Sequence, residues 1–159
     1  MNSTTILTPA GPLTIVATED GAVRAAGFTA DLSELLPAGQ PETVRVRPDL
    51  GAVSETVRAY LDGDLAAIDE VPVQQPGNGF LATAWQALRE SKAGEPLTYT
   101  ELAVRAGRPR AVRAAANACA RNAAALFVPC HRVVRTDGGL GGYRWGVEVK
   151  RWLLDHERR

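Results

Sequence analysis

The chain has 159 residues, of which 45% are hydrophobic, with two cysteines, two histidines and a formal net charge of zero. No apolar run approaches the roughly 18 residues of a membrane span, and the N-terminus lacks the basic-then-apolar pattern of a secretory signal. Two cysteines cannot build a disulfide framework, and the Cys and His spacings match no zinc motif. We therefore expect a cytoplasmic protein without membrane contact, bound metal or cofactor.

The zero net charge hides an asymmetry between the two halves of the chain. Residues 1–75 carry 4 basic and 11 acidic side chains, a net charge of −7, whereas residues 76–159 carry 14 and 7, a net charge of +7. This asymmetry predicts two domains with these bounds, the second of which binds a polyanion. Attraction between the halves alone is the alternative that charge counting leaves open.

In the first half, residues 5–28 predict a β-meander whose turns lie at residues 9–12 and at Asp20-Gly21. Residues 29–48 show no clear period, so we expect loops with at most a short helix or strand there.

Asp49 is expected to cap a helix that runs to about Asp62. Residues 68–74 are expected to form a last strand, and residues 76–79 to form a linker. Because no residue of this half suggests catalysis, we expect it to be a scaffold.

The second half begins with a predicted helix over Phe80–Ser91. Thr98 is then a candidate N-cap, and Glu101 is placed to complete a capping box. Two short helices joined at residues 107–109 predict a helix-turn-helix over about 98–121.

The second of these helices is expected to start at residue 110 and to carry one polar, basic stripe, formed by Arg110, Arg113, Asn117 and Arg121. Its other positions are almost all alanine. Such a face can approach a groove of DNA closely, or it can pack tightly against the protein, and the sequence leaves both open.

The most reactive side chains stand together in residues 129–132, Pro-Cys-His-Arg. A free thiol has a pKa of about 8.5, so only a few per cent is thiolate at neutral pH. The neighbouring imidazole and basic residues such as Arg132 and Arg135 are expected to raise that fraction for Cys130. The Cys-His pair alone also fits a buried structural cysteine.

After a turn and a glycine-rich loop, residues 147–157 predict a closing helix. Its inward face is expected to hold Val149, Trp152 and Leu153. A nucleophile–base pair requires a third group that orients the base, and the residues alone do not say which carboxylate serves.

Taken together, the motif PCHRVV, the preceding TYTELA…GRPRAVRAA…RN segment and the following GGYRWG…KRWLLDHE segment resemble the O6-alkylguanine-DNA alkyltransferases. The resemblance is strongest to the C-terminal half of the bacterial adaptive-response protein, and it is looser in the first half of the chain. It implies an α+β fold: an N-terminal ribonuclease H-like domain of β-meander and helix, followed by a helical, winged helix-turn-helix-like domain that binds DNA and carries catalysis.

The resemblance also implies an activity. Such proteins flip O6-alkylguanine, and O4-alkylthymine, out of double-stranded DNA and transfer the alkyl group irreversibly to a cysteine without a cofactor. The implied partner is duplex DNA, bound in the minor groove independently of sequence. We expect a monomer and leave cooperative DNA binding open. The alternative function is that of a non-repairing alkylated-DNA-binding protein or a helix-turn-helix regulator.

Five residues match the family's catalytic positions. Cys130 corresponds to the alkyl acceptor, His131 to its base through a water, and Glu157 to the residue that orients the base. Asn122 corresponds to the hinge between the recognition helix and the cysteine loop. Tyr99 corresponds to the residue that turns the target phosphate and protonates the leaving guanine.

Further residues match binding positions. Arg113 corresponds to the finger that fills the gap left by the flipped base, which offsets part of the cost of flipping. Other expected DNA contacts come from Tyr99, Arg110, Asn117, Arg121, Ala114 and Arg135. The base pocket is expected to involve Val133, Tyr143, Arg144, Cys119 and Pro129.

Two positions depart from the family's pattern. The Arg144-Trp145 pair is bulkier than in many relatives, which puts tolerance of large alkyl groups in doubt. Cys119 stands where relatives often have Met, and we expect it to be a packing residue.

Overall fold

The computed structural model describes residues 1–36 and 43–158, so the predicted loop region 29–48 lies partly outside the described residues. Two compact units form: Met1–Gln75 with Ala123–Phe127, and Pro76–Asn122 with Val128–Arg159. In the described part of the chain, no helix combines the length and the apolar character needed to cross a membrane.

The first unit is built on a four-stranded sheet. Its strands are β1 (Asn2–Thr8), β2 (Gly11–Ala17), β3 (Val23–Gly27) and β4 (Arg45–Val46), in the order β3-β2-β1-β4. The first three strands are antiparallel and β4 runs parallel to β1, so the predicted meander is confirmed.

One helix completes the core of this unit. Strand β2 is buried along most of its length, and α1 (Ala52–Leu61) buries Val53, Val57 and Tyr60. Each fully buried side chain of this size contributes about 1.5–3 kcal/mol relative to exposure, so burial of this helix face supplies a large part of the unit's stability.

Two sequence predictions for this unit are wrong. Asp49 does not cap α1: Gly51 is the N-cap, at φ +65°, and the Asp49 carboxylate instead accepts the Gly51 N–H and pairs with Arg58. The predicted strand over residues 68–74 is a 3₁₀ turn, Ala67–Glu70, followed by an isolated bridge. Pro72 has no N–H to donate to a ladder, which limits pairing here.

A connecting segment, Ala123–Phe127, belongs to this unit although it lies far along the chain. Ala26 donates its N–H to the carbonyl of Ala123 (2.9 Å) and accepts the N–H of Ala125 (3.0 Å). Within the segment, Leu126 is buried and has a φ of +73°, a backbone conformation that residues other than glycine rarely adopt. No pattern in the sequence predicted that residues just before the cysteine would pair with the N-terminal sheet.

The second unit holds four helices and a short parallel strand pair. The helices are α2 (Gly79–Glu90), α3 (Tyr99–Arg105), α4 (Val112–Ala120) and α5 (Val147–Glu157). The strands are β5 (Leu97–Thr98) and β6 (Val133–Val134), which pair in parallel. This pairing places the start of α3 beside the end of the cysteine loop.

The two short helices joined by a turn, α3 and α4, form as predicted, with α4 shorter than expected. It begins after Ala111, so Arg110 lies in the preceding turn, where Ala111 donates to the Arg108 carbonyl, and Arg121 is the C-cap. The alanine face packs: Ala115 and Ala118 are buried, and the Trp85 indole donates to the Ala118 carbonyl at 2.9 Å. Small side chains allow this approach between helices α2 and α4.

Helix α5 has the predicted bounds but a rotated inward face. Its buried residues are Lys150, Leu153, Leu154 and Glu157, whereas Val149 and Trp152 are half-buried. The prediction counted only apolar side chains. The helix instead buries Lys150 and Glu157, because both form hydrogen bonds in the interior of the unit.

The predicted capping box at α3 is confirmed. Thr98 Oγ1 accepts the Glu101 N–H at 3.1 Å, and the Glu101 carboxylate accepts the Thr98 N–H at 3.3 Å. We expect Thr98→Ala to lower the free energy of unfolding by about 0.5–2 kcal/mol, because an N-terminal N–H loses its partner. Urea denaturation measures this loss.

Thr83→Ala is the matched control. Thr83 is exposed within α2 and its hydroxyl donates to the Gly79 carbonyl, so its removal leaves no backbone N–H unsatisfied. We expect a change within about 0.5 kcal/mol. Equal losses in the two variants would contradict the capping role.

Candidate active site

The thiol of Cys130 lies at the start of a 3₁₀ turn, Cys130–Arg132, directly after Pro129. The Asn122 side-chain amide donates to the Val128 carbonyl at 2.8 Å and to Cys130 Sγ at 3.3 Å. One amide just beyond the end of α4 therefore fixes both the thiol and the backbone that leads to it.

Beside the thiol, His131 is fully buried and pairs with Glu157, with 2.8 Å between Nε2 and Oε2. A carboxylate only accepts hydrogen bonds, so Nε2 carries the proton and, in the neutral ring, Nδ1 has a lone pair. Among the described residues, no group hydrogen-bonds to Nδ1. The ring can therefore accept a proton at Nδ1.

Arg132 and Arg135 do not act on the thiol as the sequence suggested. The Arg132 guanidinium is buried and donates to Glu157 Oε1 at 2.9 Å and to the Ser91 carbonyl at 2.9 Å. Arg135 is exposed and pairs with Asp137 at 2.9 Å. Neither cation is among the groups that shift the pKa of Cys130, so their predicted activation of the thiol is wrong.

Lys150 is the cation that does act there, and sequence reasoning missed it. Its ammonium is buried and donates to the carbonyls of Val133 (2.6 Å) and Gly142 (3.2 Å), which joins the cysteine loop to the glycine-rich loop. The signal was its spacing: Lys150 lies three and seven residues before Leu153 and Glu157, on one helix face.

The resting thiol is protonated at neutral pH. Burial raises the pKa of Cys130 above its usual range, and the Asn122 hydrogen bond and the Lys150 charge offset only part of that rise. Burial also raises the pKa of the second thiol, Cys119, strongly. Cys119 is half-buried on α4, and the packing role expected for it stays a prediction.

Aromatic side chains lie close to the thiol. Burial raises the pKa of Tyr99, at the first position of α3, and repulsion from the Cys119 and Cys130 thiolates, once those thiols ionise, raises it further. At Gly141 a Cβ would lie 2.9 Å from the Tyr99 hydroxyl, and φ there is +75°. Glycine is therefore required where the glycine-rich loop passes Tyr99.

Other predicted pocket residues are placed as follows. The Tyr143 hydroxyl is buried and has no hydrogen-bond partner within residues 1–36 and 43–158, and burial raises its pKa well above the usual value. Arg144 is exposed and stacks 4.4 Å from the Trp145 ring centroid. Pro129 and Val133 are buried in the cysteine loop.

The predicted DNA-contacting side chains are exposed around the helix-turn-helix. Arg113, Asn117 and Arg121 are exposed on or at the end of α4, Arg110 is exposed in the turn, and Ala114 is half-buried. Arg108 is also exposed, and its guanidinium lies 5.6 Å from the Phe80 ring centroid. In the part of the chain that the structure describes, no cluster of three or more His, Cys, Asp or Glu side chains could hold a metal ion.

A helix-turn-helix with exposed arginines, and in the same unit a thiol held by an amide beside a His–Glu pair, define a DNA-binding protein with a cysteine nucleophile. The family model described as "6-O-methylguanine DNA methyltransferase, DNA binding domain" matches residues 79–159. A methylated-DNA–protein-cysteine methyltransferase of Salmonella typhimurium is 37% identical over 96% of this chain and 92% of its own length. The chain belongs to the O6-methylguanine-DNA methyltransferase family.

Two further relatives extend this comparison. The bifunctional transcriptional activator/DNA repair enzyme Ada of Escherichia coli K12 is 52% identical over 87 residues, which are 55% of this chain and 25% of Ada. The chain thus matches about a quarter of that protein's length. The crystal structure of Mycobacterium tuberculosis OGT in complex with DNA is 30% identical, with a TM-score of 0.83 over 99% of this chain and 93% of that one. This likeness confirms a mixed α+β fold with an N-terminal sheet and a helical C-terminal region.

The buried histidine gives a pH prediction. Burial lowers the pKa of His131, more than the neighbouring Glu157 raises it. The unfolded chain binds this proton below about pH 6.5, while the folded chain does not until lower pH. Stability is therefore fully present above about pH 6.5 and falls as the pH decreases.

Urea denaturation between pH 5 and 8 measures this effect. The urea concentration at which half of the wild-type protein is unfolded should decrease as the pH is lowered below about 6.5. In His131→Gln this decrease should be shallower. Glu157 does not contribute in this window because its pKa is lowered: burial raises it, but the charges and hydrogen bonds of His131 and Arg132 outweigh burial. An unchanged slope in His131→Gln would contradict the assignment.

Proposed function

We propose that this protein repairs alkylated duplex DNA by direct reversal, transferring the alkyl group of O6-alkylguanine, and of O4-alkylthymine, irreversibly to Cys130. The observation that carries the proposal is the thiol itself, held at 3.3 Å by the Asn122 amide beside the buried His131–Glu157 pair. The names of the similar proteins, and the DNA bound to one of them, support the same reaction.

The chemistry follows from the protonation states. His131 takes the proton of Cys130 at Nδ1, through a water, and the thiolate attacks the alkyl carbon. The S–C bond forms as the C–O bond breaks, and the electron pair stays on the guanine, which Tyr99 protonates as it leaves. The imidazolium then returns its proton to the Tyr99 phenolate through solvent. Overall the thiol proton therefore replaces the alkyl group on the base, and no cofactor is consumed.

The thiol stays protonated until substrate is bound, which limits side reactions. The cost of removing its proton is reduced by two groups that stabilise the anion, the Asn122 amide and the Lys150 ammonium. Val133, Tyr143, Arg144, Cys119 and Pro129 would surround the flipped base.

DNA binding is assigned to the helix-turn-helix. Helix α4 would enter the minor groove, where its small side chains suit a narrow space. Arg113 would fill the gap left by the base, and phosphate contacts from exposed side chains would make binding independent of sequence. Those side chains are Arg110, Asn117, Arg121, Arg135 and Tyr99, with Ala114 facing the groove.

The finer fold labels belong to the same proposal. We assign the first unit to the ribonuclease H-like type and the second to the winged helix-turn-helix type, with residues 1–75 as scaffold and 76–159 as the alkyltransferase domain. We propose a monomer that acts on DNA in the cytoplasm, with cooperative assembly on DNA left to binding measurements.

The first test is intact mass after incubation with O6-methylguanine duplex. Wild-type protein should gain the mass of one methyl group in place of one hydrogen. Cys130→Ser should gain nothing yet bind the duplex nearly as well, because the pocket and the phosphate contacts are unchanged. An unmodified wild-type protein that binds alkylated DNA would favour the alternative, a non-repairing binder or regulator.

Arg113→Ala separates flipping from chemistry. We expect it to slow repair of duplex DNA strongly but to leave the reaction with free O6-methylguanine base almost unchanged, because a free base needs no flipping. Single-turnover rates on both substrates measure this. Arg24→Ala, an exposed arginine on β3, is the matched control and should react normally with both. Equal slowing on duplex and free base would rule out the proposed role of Arg113.

Alkylation should also destabilise the protein. A methyl on Sγ adds volume to a cysteine loop in which Val128 and Val133 are buried, and the Asn122 amide then faces a thioether, a weak acceptor. Overpacking of this kind costs about 1–3 kcal/mol, which lowers Tm by several degrees. Thermal unfolding of free and fully S-methylated protein without DNA tests this, and an equal or higher Tm after methylation would contradict it.

A further inference from the structure

The Glu157 carboxylate is shared by two side chains that are neighbours in sequence. Its Oε2 accepts from His131 Nε2 at 2.8 Å, and Arg132 donates from Nε to Oε1 at 2.9 Å and from Nη2 to Oε2 at 3.3 Å. His131, Arg132 and Glu157 are all buried. The histidine therefore faces a carboxylate whose charge an arginine already neutralises.

The Arg132 guanidinium is itself held in place by Ser91, on the side away from Glu157. Arg132 Nη1 donates to the Ser91 carbonyl at 2.9 Å and to Ser91 Oγ at 3.1 Å, just beyond the end of α2. Ser91 Oγ in turn donates to the Leu88 carbonyl at 2.6 Å. All three guanidinium nitrogens thus donate hydrogen bonds, and the two that contact Glu157, Nε and Nη2, hold its carboxylate in one orientation.

The charges around His131 come from two elements, α5 and the 3₁₀ turn that contains it. Glu157 and Lys150 face it from α5, and Arg132 faces it from its own 3₁₀ turn, where Cys130 is the adjoining titratable group. A carboxylate alone beside a buried imidazole would favour imidazolium, which cannot accept another proton. Arg132 and Lys150 oppose that effect, and of the two only Arg132 hydrogen-bonds to the carboxylate.

We propose that Arg132 is a positioning residue: anchored on Ser91, it holds Glu157 as the acceptor for His131 Nε2–H and balances its charge, so that the neutral ring presents Nδ1 as the base for Cys130. This deepens the proposed function and rests on it for the proton transfer. The step moves one proton from Sγ to Nδ1 and leaves a thiolate and an imidazolium between Glu157 and the attacking sulfur.

The test is the pH dependence of the single-turnover rate of methyl transfer from O6-methylguanine duplex, at saturating protein. The acid limb of this profile reports protonation of His131 in the complex. In Arg132→Gln the unbalanced carboxylate should raise the pKa of His131 and move the acid limb to higher pH by about one unit or more.

Glu157→Gln should move the same limb the other way. It removes the anion and leaves Arg132 in place, so His131 becomes harder to protonate while losing its orienting acceptor. Both variants should react more slowly, but their acid limbs should shift in opposite directions. A limb that stays at the wild-type pH in a folded Arg132→Gln protein, or that shifts the same way in both variants, would overturn the proposal.

Two further variants serve as controls that distinguish loss of the Arg132 charge from a general structural defect. Arg158→Gln removes the exposed arginine that follows Glu157 and pairs with Asp155, and it should keep the wild-type profile. Arg132→Lys keeps a cation near Glu157 but not the fork, so it should react more slowly with the acid limb unmoved. A limb displaced in Arg132→Lys as far as in Arg132→Gln would argue against charge balance.

The wild-type protein supplies an independent measurement without DNA. In ¹⁵N spectra of the histidine rings, His131 should be the neutral Nε2–H tautomer at pH 7 and should remain neutral below the usual histidine pKa of about 6.5. An imidazolium or an Nδ1–H tautomer at pH 7 would refute the role given to Arg132. If no methyl transfer occurs, the proposed function fails, while this spectrum still decides the charge state of the pair.

Discussion

The buried carboxylate of Glu157 is the constraint on which the rest of the second unit depends. Glu157 is the last residue of helix α5, and its carboxylate accepts hydrogen bonds from His131 and Arg132. Arg132 also donates a hydrogen bond to Ser91, just beyond the end of α2. A Cβ at Gly94, where φ is +83°, would lie 2.9 Å from the Glu157 carbonyl. Glycine at that turn therefore allows the end of α5 to pack where its carboxylate meets the cysteine loop.

Burying these charges is costly unless each is paired and hydrogen-bonded. Arg132 and Lys150 meet that condition differently. Arg132 pairs with a carboxylate, whereas the Lys150 ammonium donates to two backbone carbonyls, and burial lowers the pKa of Lys150. The site can therefore stabilise a thiolate that forms at Cys130, although burial keeps the resting thiol protonated.

Asn122 links the two tasks of this unit. It follows the C-cap of α4, and its amide contacts both the Val128 carbonyl and the Cys130 sulfur. The five intervening residues are held on β3 of the first unit, with Leu126 in a left-handed conformation. Strand β3 therefore hydrogen-bonds to the segment that leads to the cysteine loop, and the scaffold role expected for residues 1–75 stays a prediction.

The sequence alone determined the local features: the hairpin at Gly21, the capping box of Thr98 and Glu101, and the bounds of α5. These depend on residues a few positions apart, whose steric and hydrogen-bonding preferences are visible in order along the chain. It also supplied the Cys-His pair, and family resemblance added Glu157. Tertiary structure decided which charged side chain stabilises which group in the site. Lys150 rather than Arg132 stabilises the thiol because electrostatic partners depend on distance in space, and residues far apart in sequence set the burial that raises the thiol's pKa.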